Sequence, residues 1–293
     1  MRILFIGCVQ FSGKILEKLF QMNANIVGVC TKKESSFNSD FLDLSILCQK
    51  KKTPCFSTLN INSKETYSWI KNSNPDIIFC FGWSSLIQKK LLHLPPMGTL
   101  GFHPTLLPQN RGRHPLIWPL FLGLKKSAST FFFMREGADN GPILSQKIFD
   151  ILEEDDALSL YNKVIEVALL QVESFIPKLE NKTFTLTNQE ESKTNKWRKR
   201  SFVDGSIDFR MNSLTIHNLV RSITHPYVGA HLQYNDSLIK VWKTKVSQCT
   251  KKNIEPGKIL KIEDSAILVK TYDSALWLLK HEFEKMPRVG EYL

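Results

Sequence analysis

No apolar run in this chain of 293 residues approaches the ~20 residues that a membrane-spanning helix needs, so no span is expected. The start, Met1-Arg2-Ile3-Leu4-Phe5-Ile6-Gly7, turns polar too soon for a secretory leader, which makes a cytoplasmic protein the expectation. The six cysteines, Cys8, Cys30, Cys48, Cys55, Cys80 and Cys249, form no Cys-x-x-Cys pair, which leaves a zinc framework a distant second to buried, reduced thiols. Gly7 and Gly13 flank an early turn but do not make a G-x-G-x-x-G fingerprint, and no P-loop is present, so neither NAD nor ATP is supported. Acidic residues are the scarcer charge, 28 against 39 Lys and Arg, for a net +11 that favours phosphate-bearing partners. Much of that charge is scattered lysine, as in Lys50-Lys51-Lys52 and Lys251-Lys252, which reads as solvated loops and helix ends rather than a nucleic-acid groove.

A chain of this length with 42% hydrophobic residues can bury one large or two moderate cores. Its first half alternates strand-like and helix-like runs: strands over Arg2–Gly7, Asn25–Cys30 and Asp76–Phe81, helices over Gly13–Gln21 and Lys64–Asn72. That βαβ order predicts an α/β domain with a parallel sheet covered on both faces, whose ligands sit at the carboxyl ends of the strands. A further strand is expected at Thr130–Met134 and a long helix over Asp156–Leu179. The polar stretch Asn188–Lys193 and the basic segment Lys196-Trp197-Arg198-Lys199-Arg200 then read as a connection. Beyond it come a helix over Ser213–Ile223 and short strands at Gly229–Gln233, Leu238–Val246, Gly257–Ile262, Ala266–Thr271 and Ala275–Leu279, which predict a small β-barrel. The expected boundaries are 1–187, a linker at 188–200, and 201–293.

Two segments carry chemistry. Gly101-Phe102-His103-Pro104-Thr105-Leu106-Leu107-Pro108, followed by Arg111-Gly112, sets a histidine in a Pro-rich loop, and Glu136-Gly137-Ala138-Asp139-Asn140-Gly141 brings a carboxylate on a second, Gly-rich loop. A general acid/base and its orienting partner need that combination, because imidazole both takes and gives protons near neutral pH and a carboxylate holds the ring. The plainer account is a structural loop histidine and an aspartate capping a turn.

These two loops are similar to the signatures of the formyltetrahydrofolate-dependent formyltransferases: Asn-x-His, Leu-Leu-Pro-x-x-Arg-Gly and Gly-x-Asp-x-Gly. The resemblance extends through Ser201–Lys245, where Asp204-Gly205, His217-Asn218-Leu219-Val220-Arg221 and Pro226-Tyr227-Val228-Gly229-Ala230 resemble the smaller carboxy-terminal domain of two-domain members. It implies a Rossmann-like amino-terminal domain with an OB-like barrel behind it, 10-formyltetrahydrofolate as formyl donor, and an amine as acceptor, with His103 as proton shuttle and Asp139 as its partner. It also implies a folate pocket beyond Asp76–Phe81, from Phe81, Gly82, Trp83 and Leu86 together with Arg135, Glu136 and Gly137. Core packing is the competing account of Trp83 and Leu86. Dimers are common among the proteins it resembles, so a homodimer is an expectation too.

The chain departs from the pattern at Gly101, where the family usually has asparagine, whose amide would donate to the developing oxyanion. Losing such a donor costs roughly 100- to 1000-fold in rate. A protonated His103, an ordered water, a backbone N–H or Asn110 are the candidate substitutes, and a catalytically dead folate or nucleotide-sugar binder is the alternative. On the acceptor side, the methionyl-tRNA enzymes usually carry a long Pro/Gly/basic loop after the second strand, whereas Thr31–Asp40 has no Pro or Gly and two acids. Arg111, Arg113 and His114, with Asn38 and Tyr227, instead suit a compact acceptor rich in hydroxyls and phosphate. The resemblance is therefore greatest to the amino-sugar N-formyltransferases, with a nucleotide-linked amino-dideoxy sugar of a surface glycan as substrate and methionyl-tRNA as the alternative.

Overall fold

The computed structural model describes residues 1–35 and 39–293. In chain order the elements are β1 (Arg2–Ile6), α1 (Gln10–Gln21), β2 (Asn25–Thr31), α2 (Ser45–Lys50), β3 (Cys55–Ser57), α3 (Lys64–Asn72), β4 (Ile77–Cys80), α4 (Lys89–Leu92) and β5 (Thr99–His103). There follow β6 (Arg111–Gly112), α5 (Ile117–Phe121), β7 (Lys126–Phe133), β8 (Ile143–Asp150), α6 (Ala157–Glu180) and β9 (Lys196–Trp197). The last part holds α7 (Ser213–Ile223), β10 (Ala230–Tyr234), β11 (Ser237–Ser247), β12 (Ile259–Glu263), β13 (Ala266–Lys270) and β14 (Ala275–His281).

Among the described residues a seven-stranded sheet runs β3-β2-β1-β4-β5-β7-β8. Pairing is parallel from β3 to β5 and antiparallel between β5 and β7, where Leu100 lies opposite Phe133 and His103 opposite Thr130. Strand β1 after its exposed first residue, Arg2, and β4 throughout are apolar and buried, as a sheet covered on both faces requires. Helix α3 starts where Ser63 Oγ accepts from the Thr66 N–H at 3.1 Å, and α6 where Asp156 Oδ1 accepts from the N–H groups of Leu158 and Ser159. Phe131 is fully buried and its ring meets those of Phe81, Phe102 and Phe175 at centroid distances of 5.2, 4.8 and 4.9 Å. The expected strands and helices of this half are present. Strand β5 was not expected, because Gly101 and the prolines after His103 read as loop; His103 stands at the end of a strand.

The chain divides into two compact units, and the division differs from the expected boundaries in two respects. Residues 116–126 and 150–161 belong with 198–293, while 188–197, expected as a tether, belong with the first unit. The second unit has the antiparallel sheet β10-β11-β14-β13-β12, and the pairings among its described residues form an open run without a ladder closing β10 onto β12. Helix α7 buries Ile216, Leu219, Val220 and Ile223, one helical stripe, among Val241, Val269, Leu276 and Leu278. All six cysteines are free thiols, with Cys8, Cys30, Cys48 and Cys80 buried. No helix among the described residues is long and apolar enough to cross a membrane.

Phe131→Ala is expected to cost the first unit about 3–5 kcal/mol through the cavity it leaves, read as a lowered urea midpoint.

Candidate active site

His103 ends β5 on the edge of the sheet core and is 5% exposed. Its loop is built by short polar side chains that satisfy buried backbone groups. Thr130 Oγ1 donates to the Thr105 carbonyl at 2.7 Å, Gln146 Nε2 donates to the Leu107 carbonyl at 2.9 Å, and Ser127 Oγ donates to the Pro104 carbonyl at 3.2 Å. The imidazole Nε2 lies 2.9 Å from the Asn110 carbonyl oxygen. A carbonyl only accepts, so Nε2 carries the hydrogen and Nδ1 is left as the basic nitrogen.

Nδ1 faces Asp139 Oδ2 at 3.8 Å. That is close enough for strong attraction once Nδ1 is protonated and too long for a direct hydrogen bond. The carboxylate is held independently of the ring: the Gly112 N–H donates to Asp139 Oδ2 at 2.9 Å. The structure thus brings His103 and Asp139 together, but the group that fixes the ring directly is the Asn110 carbonyl. Asn110 is one of the candidate substitutes for the missing amide at Gly101; in the structure it is its backbone oxygen that meets His103.

At Gly101 the space on the side-chain face is already filled. A Cβ there would lie 2.7 Å from Met134 Cγ and 3.2 Å from Phe132 Cζ, so an asparagine does not fit unless Met134 moves.

The folate candidates separate into two groups. Phe81 is not available: its ring is fully buried, its N–H donates to the Ile6 carbonyl at 2.9 Å, and its carbonyl accepts from Ser12 Oγ at 2.6 Å. Those contacts, with Gly82 at φ 73 and no room for a Cβ beside Val9 and Ser12, clamp the end of β4 onto the start of α1. Cys8 Sγ donates to the Gly82 carbonyl at 3.5 Å, and burial pushes that thiol up to about 11, so it stays a neutral donor. Leu86, by contrast, is 68% exposed, which removes core packing as its explanation, and Trp83 is half-buried with its Nε1 donating to Ser85 Oγ at 2.8 Å. Arg135, Glu136 and Gly137 are exposed, and Glu136 pairs with Lys89 at 2.9 Å.

The acceptor candidates separate as well. Arg111 is 3% exposed and its guanidinium is occupied by Gln189 and Glu191, so it is a structural tie rather than a hand for phosphate. That hydrogen bond also holds the Glu191 carboxyl below its ordinary range. Arg113 is exposed and donates to the Ser84 carbonyl at 3.0 Å, next to the loop after β4. His114 is half-buried at φ 55. Tyr227 packs against the core of the second unit, and Asn38 lies outside the described residues. Arg221, in the His217–Arg221 segment of the resemblance, donates to the carbonyls of Leu152, Glu153 and Asp155 within the second unit. The basic segment is similarly engaged: Arg198 pairs with Asp204, and the guanidinium groups of Arg198 and Arg200 lie over the Trp118 ring at 5.3 and 4.9 Å.

Sequence reasoning missed Gln189, Glu191 and Asn195. They lie in a polar stretch whose composition is that of a loop, and no spacing marks them.

The chain is 29% identical over 301 residues to a methionyl-tRNA formyltransferase of Clostridioides difficile (strain 630), covering 100% of this chain and 96% of that one. Among solved structures, WlaRD, a sugar 3N-formyl transferase in the presence of dTDP and 5-N-formyl-THF, superposes with a TM-score of 0.71 at 17% identity, covering 98% and 99% of the two chains. An N-formyltransferase from Helicobacter canadensis in complex with folinic acid and dTDP-3-aminofucose gives a TM-score of 0.71 at 18% identity over 94% and 98%. HypX from Aquifex aeolicus in complex with tetrahydrofolic acid gives 0.68 at 18% identity, and there this chain, covered over 97% of its own length, spans 44% of HypX. Residues 201–290 match the Formyl transferase, C-terminal domain. Residues 1–172 match Formyl transferase, and the chain belongs to that family.

Proposed function

We propose that the protein transfers the formyl group of 10-formyltetrahydrofolate to the primary amine of a nucleotide-linked amino sugar, in the cytoplasm. The observation that carries the formyl-transfer chemistry is the His103 Nδ1 to Asp139 Oδ2 approach of 3.8 Å at the carboxyl end of a family-matched sheet. Exposed Leu86 and half-buried Trp83, beside the Ser84 carbonyl that Arg113 reaches, offer apolar surface for a pterin ring, and the HypX and WlaRD structures support a folate donor in this fold.

In the transfer, the acceptor amine bonds to the formyl carbon while charge gathers on the carbonyl oxygen. His103 Nδ1 accepts the proton that the nitrogen must lose, and Asp139 balances the imidazolium across the gap between them. His103 then returns the proton to the departing folate nitrogen as its bond to the formyl carbon breaks, leaving a formamide, tetrahydrofolate and a neutral ring. With Gly101 lacking an amide, the protonated His103 serves as the donor to the oxyanion in this reading.

The sugar reading draws on exposed Arg113, whose guanidinium has N–H groups beyond the one given to Ser84 with which to grip phosphate oxygens, on the engagement of Arg198 and Arg200 with Asp204 and Trp118, and on the likeness to WlaRD and the Helicobacter canadensis enzyme. A second reading, formylation of methionyl-tRNA, is favoured by the full-length match to the Clostridioides difficile protein.

Three outcomes are expected. His103→Ala lowers kcat by about 10²- to 10⁴-fold in a formyl-transfer assay, and an unchanged rate would remove the mechanism. Given 10-formyltetrahydrofolate and either nucleotide-linked amino sugars or charged initiator tRNA, the protein formylates a sugar; turnover of tRNA alone replaces this reading with the second. Gly101→Asn restores the family amide yet gives no gain in rate and loses about 1–3 kcal/mol by overpacking, a loss that Met134→Ala in the same chain relieves, as urea midpoints would record.

A further inference from the structure

Residues 173–200 lie outside both family-matched segments, yet side chains within them bond to both reacting loops. Gln189 Nε2 donates to the Asp139 carbonyl at 2.8 Å and to the Gly141 carbonyl at 2.7 Å. Its Oε1 accepts from Arg111 Nε at 3.1 Å and from an Arg111 terminal nitrogen at 2.8 Å. Both hydrogens and both lone pairs of this one amide are therefore used. It cannot turn over without setting N–H groups against a guanidinium and an oxygen against two carbonyls. Arg111 is fixed from its other side by Glu191, at 3.1 and 2.8 Å. Asn195 completes the arrangement: its Oδ1 accepts from the Asn110 N–H at 2.8 Å, and Asn110 bears the carbonyl that binds His103.

We propose that Gln189 is a positioning residue for formyl transfer that acts through Asp139; the proposal rests on the reading of His103 and Asp139 as the reacting pair. Asp139 sits at φ 55, in the left-handed region that costs a residue with a Cβ, and such backbone holds only where its surroundings fix it. The Gly112 N–H grips the carboxylate, and Gln189 grips the backbone on either side of Asn140. Without Gln189 the carboxylate keeps a single tether, and the loop drifts relative to His103.

The test uses the full chain, 10-formyltetrahydrofolate, and whichever of the nucleotide-linked amino sugars or charged initiator tRNA the wild type formylates. Misplacing a reacting group by about 1 Å costs about 100-fold, so Gln189→Ala and Gln189→Glu are expected to lower kcat by about 10- to 100-fold with the KM of donor and acceptor moving by less than about threefold. Glutamate keeps the acceptor toward Arg111 but sets an oxygen against two carbonyls, so it must not rescue. In a double-mutant cycle, adding Gln189→Ala to Asp139→Ala is expected to cost less than about twofold more, since no carboxylate remains to be placed. Circular dichroism establishes that each variant folds, and Gln189→Asn takes the place of one that does not. Wild-type kcat in Gln189→Ala, full activity in Gln189→Glu, or multiplying losses in the cycle would overturn the proposal while leaving the reacting pair intact. A His103→Ala variant as active as wild type, or a wild type that formylates neither acceptor class, overturns the reading of the pair and the proposal with it.

Discussion

The antiparallel pairing of β5 with β7 is the constraint on which the site depends. Parallel neighbours would deliver their carboxyl ends to the same edge, so that a loop following β7 would begin beside His103. Here Phe133, at the end of β7, lies opposite Leu100, and His103 lies opposite Thr130. The chain therefore leaves β7 at the wrong end and must double back to present Asp139. Its return is tight: at Gly141 a Cβ would fall 1.6 Å from the Phe133 carbonyl oxygen, so only glycine can make that approach. Elements outside the loop then hold it, the Gly112 N–H from one side and Gln189 from another.

That geometry explains why the candidate pair His103 and Asp139 is legible in the sequence and its supports are not. His103 and Asp139 stand in Gly- and Pro-rich surroundings whose residue types are dictated by backbone need, so the motifs survive as readable strings. The alternating strands and helices of the first sheet follow from hydrophobic period alone. Gln189 and Asn195 contribute single hydrogen-bonding side chains from irregular backbone, and neither burial period nor glycine spacing records such a role. Arg111 misled for a related reason: an arginine in a signature loop reads equally as a ligand hand or as a tie, and only burial distinguishes them. His103 was placed in a loop because the residues after it are turn formers, although Thr99, Leu100 and Phe102 pair as a strand.

At Gly101 the side-chain face is closed by Met134 and Phe132. Removing a side chain from a packed interior leaves a void unless a neighbour enters. Met134, unbranched and flexible, lies where the missing side chain would begin. The consequence is chemical as well as steric, since a thioether is a weak acceptor and donates nothing to an oxyanion. In the proposed transfer the imidazolium carries the charge that an amide would have stabilised, which places a premium on keeping Asp139 within reach of Nδ1.

The support of the active site and the loss of the amide thereby belong to one argument. An oxyanion donor fixed on a strand needs no help from a connector, because the sheet positions it. In the proposed transfer, a protonated histidine that both shuttles the proton and stabilises the oxygen depends on the carboxylate 3.8 Å away, and that carboxylate rides on a loop. The segment that the composition marks as a tether supplies, from Gln189, the bonds to the backbone on either side of Asn140. That one amide is satisfied on all four sides, and Arg111 on two.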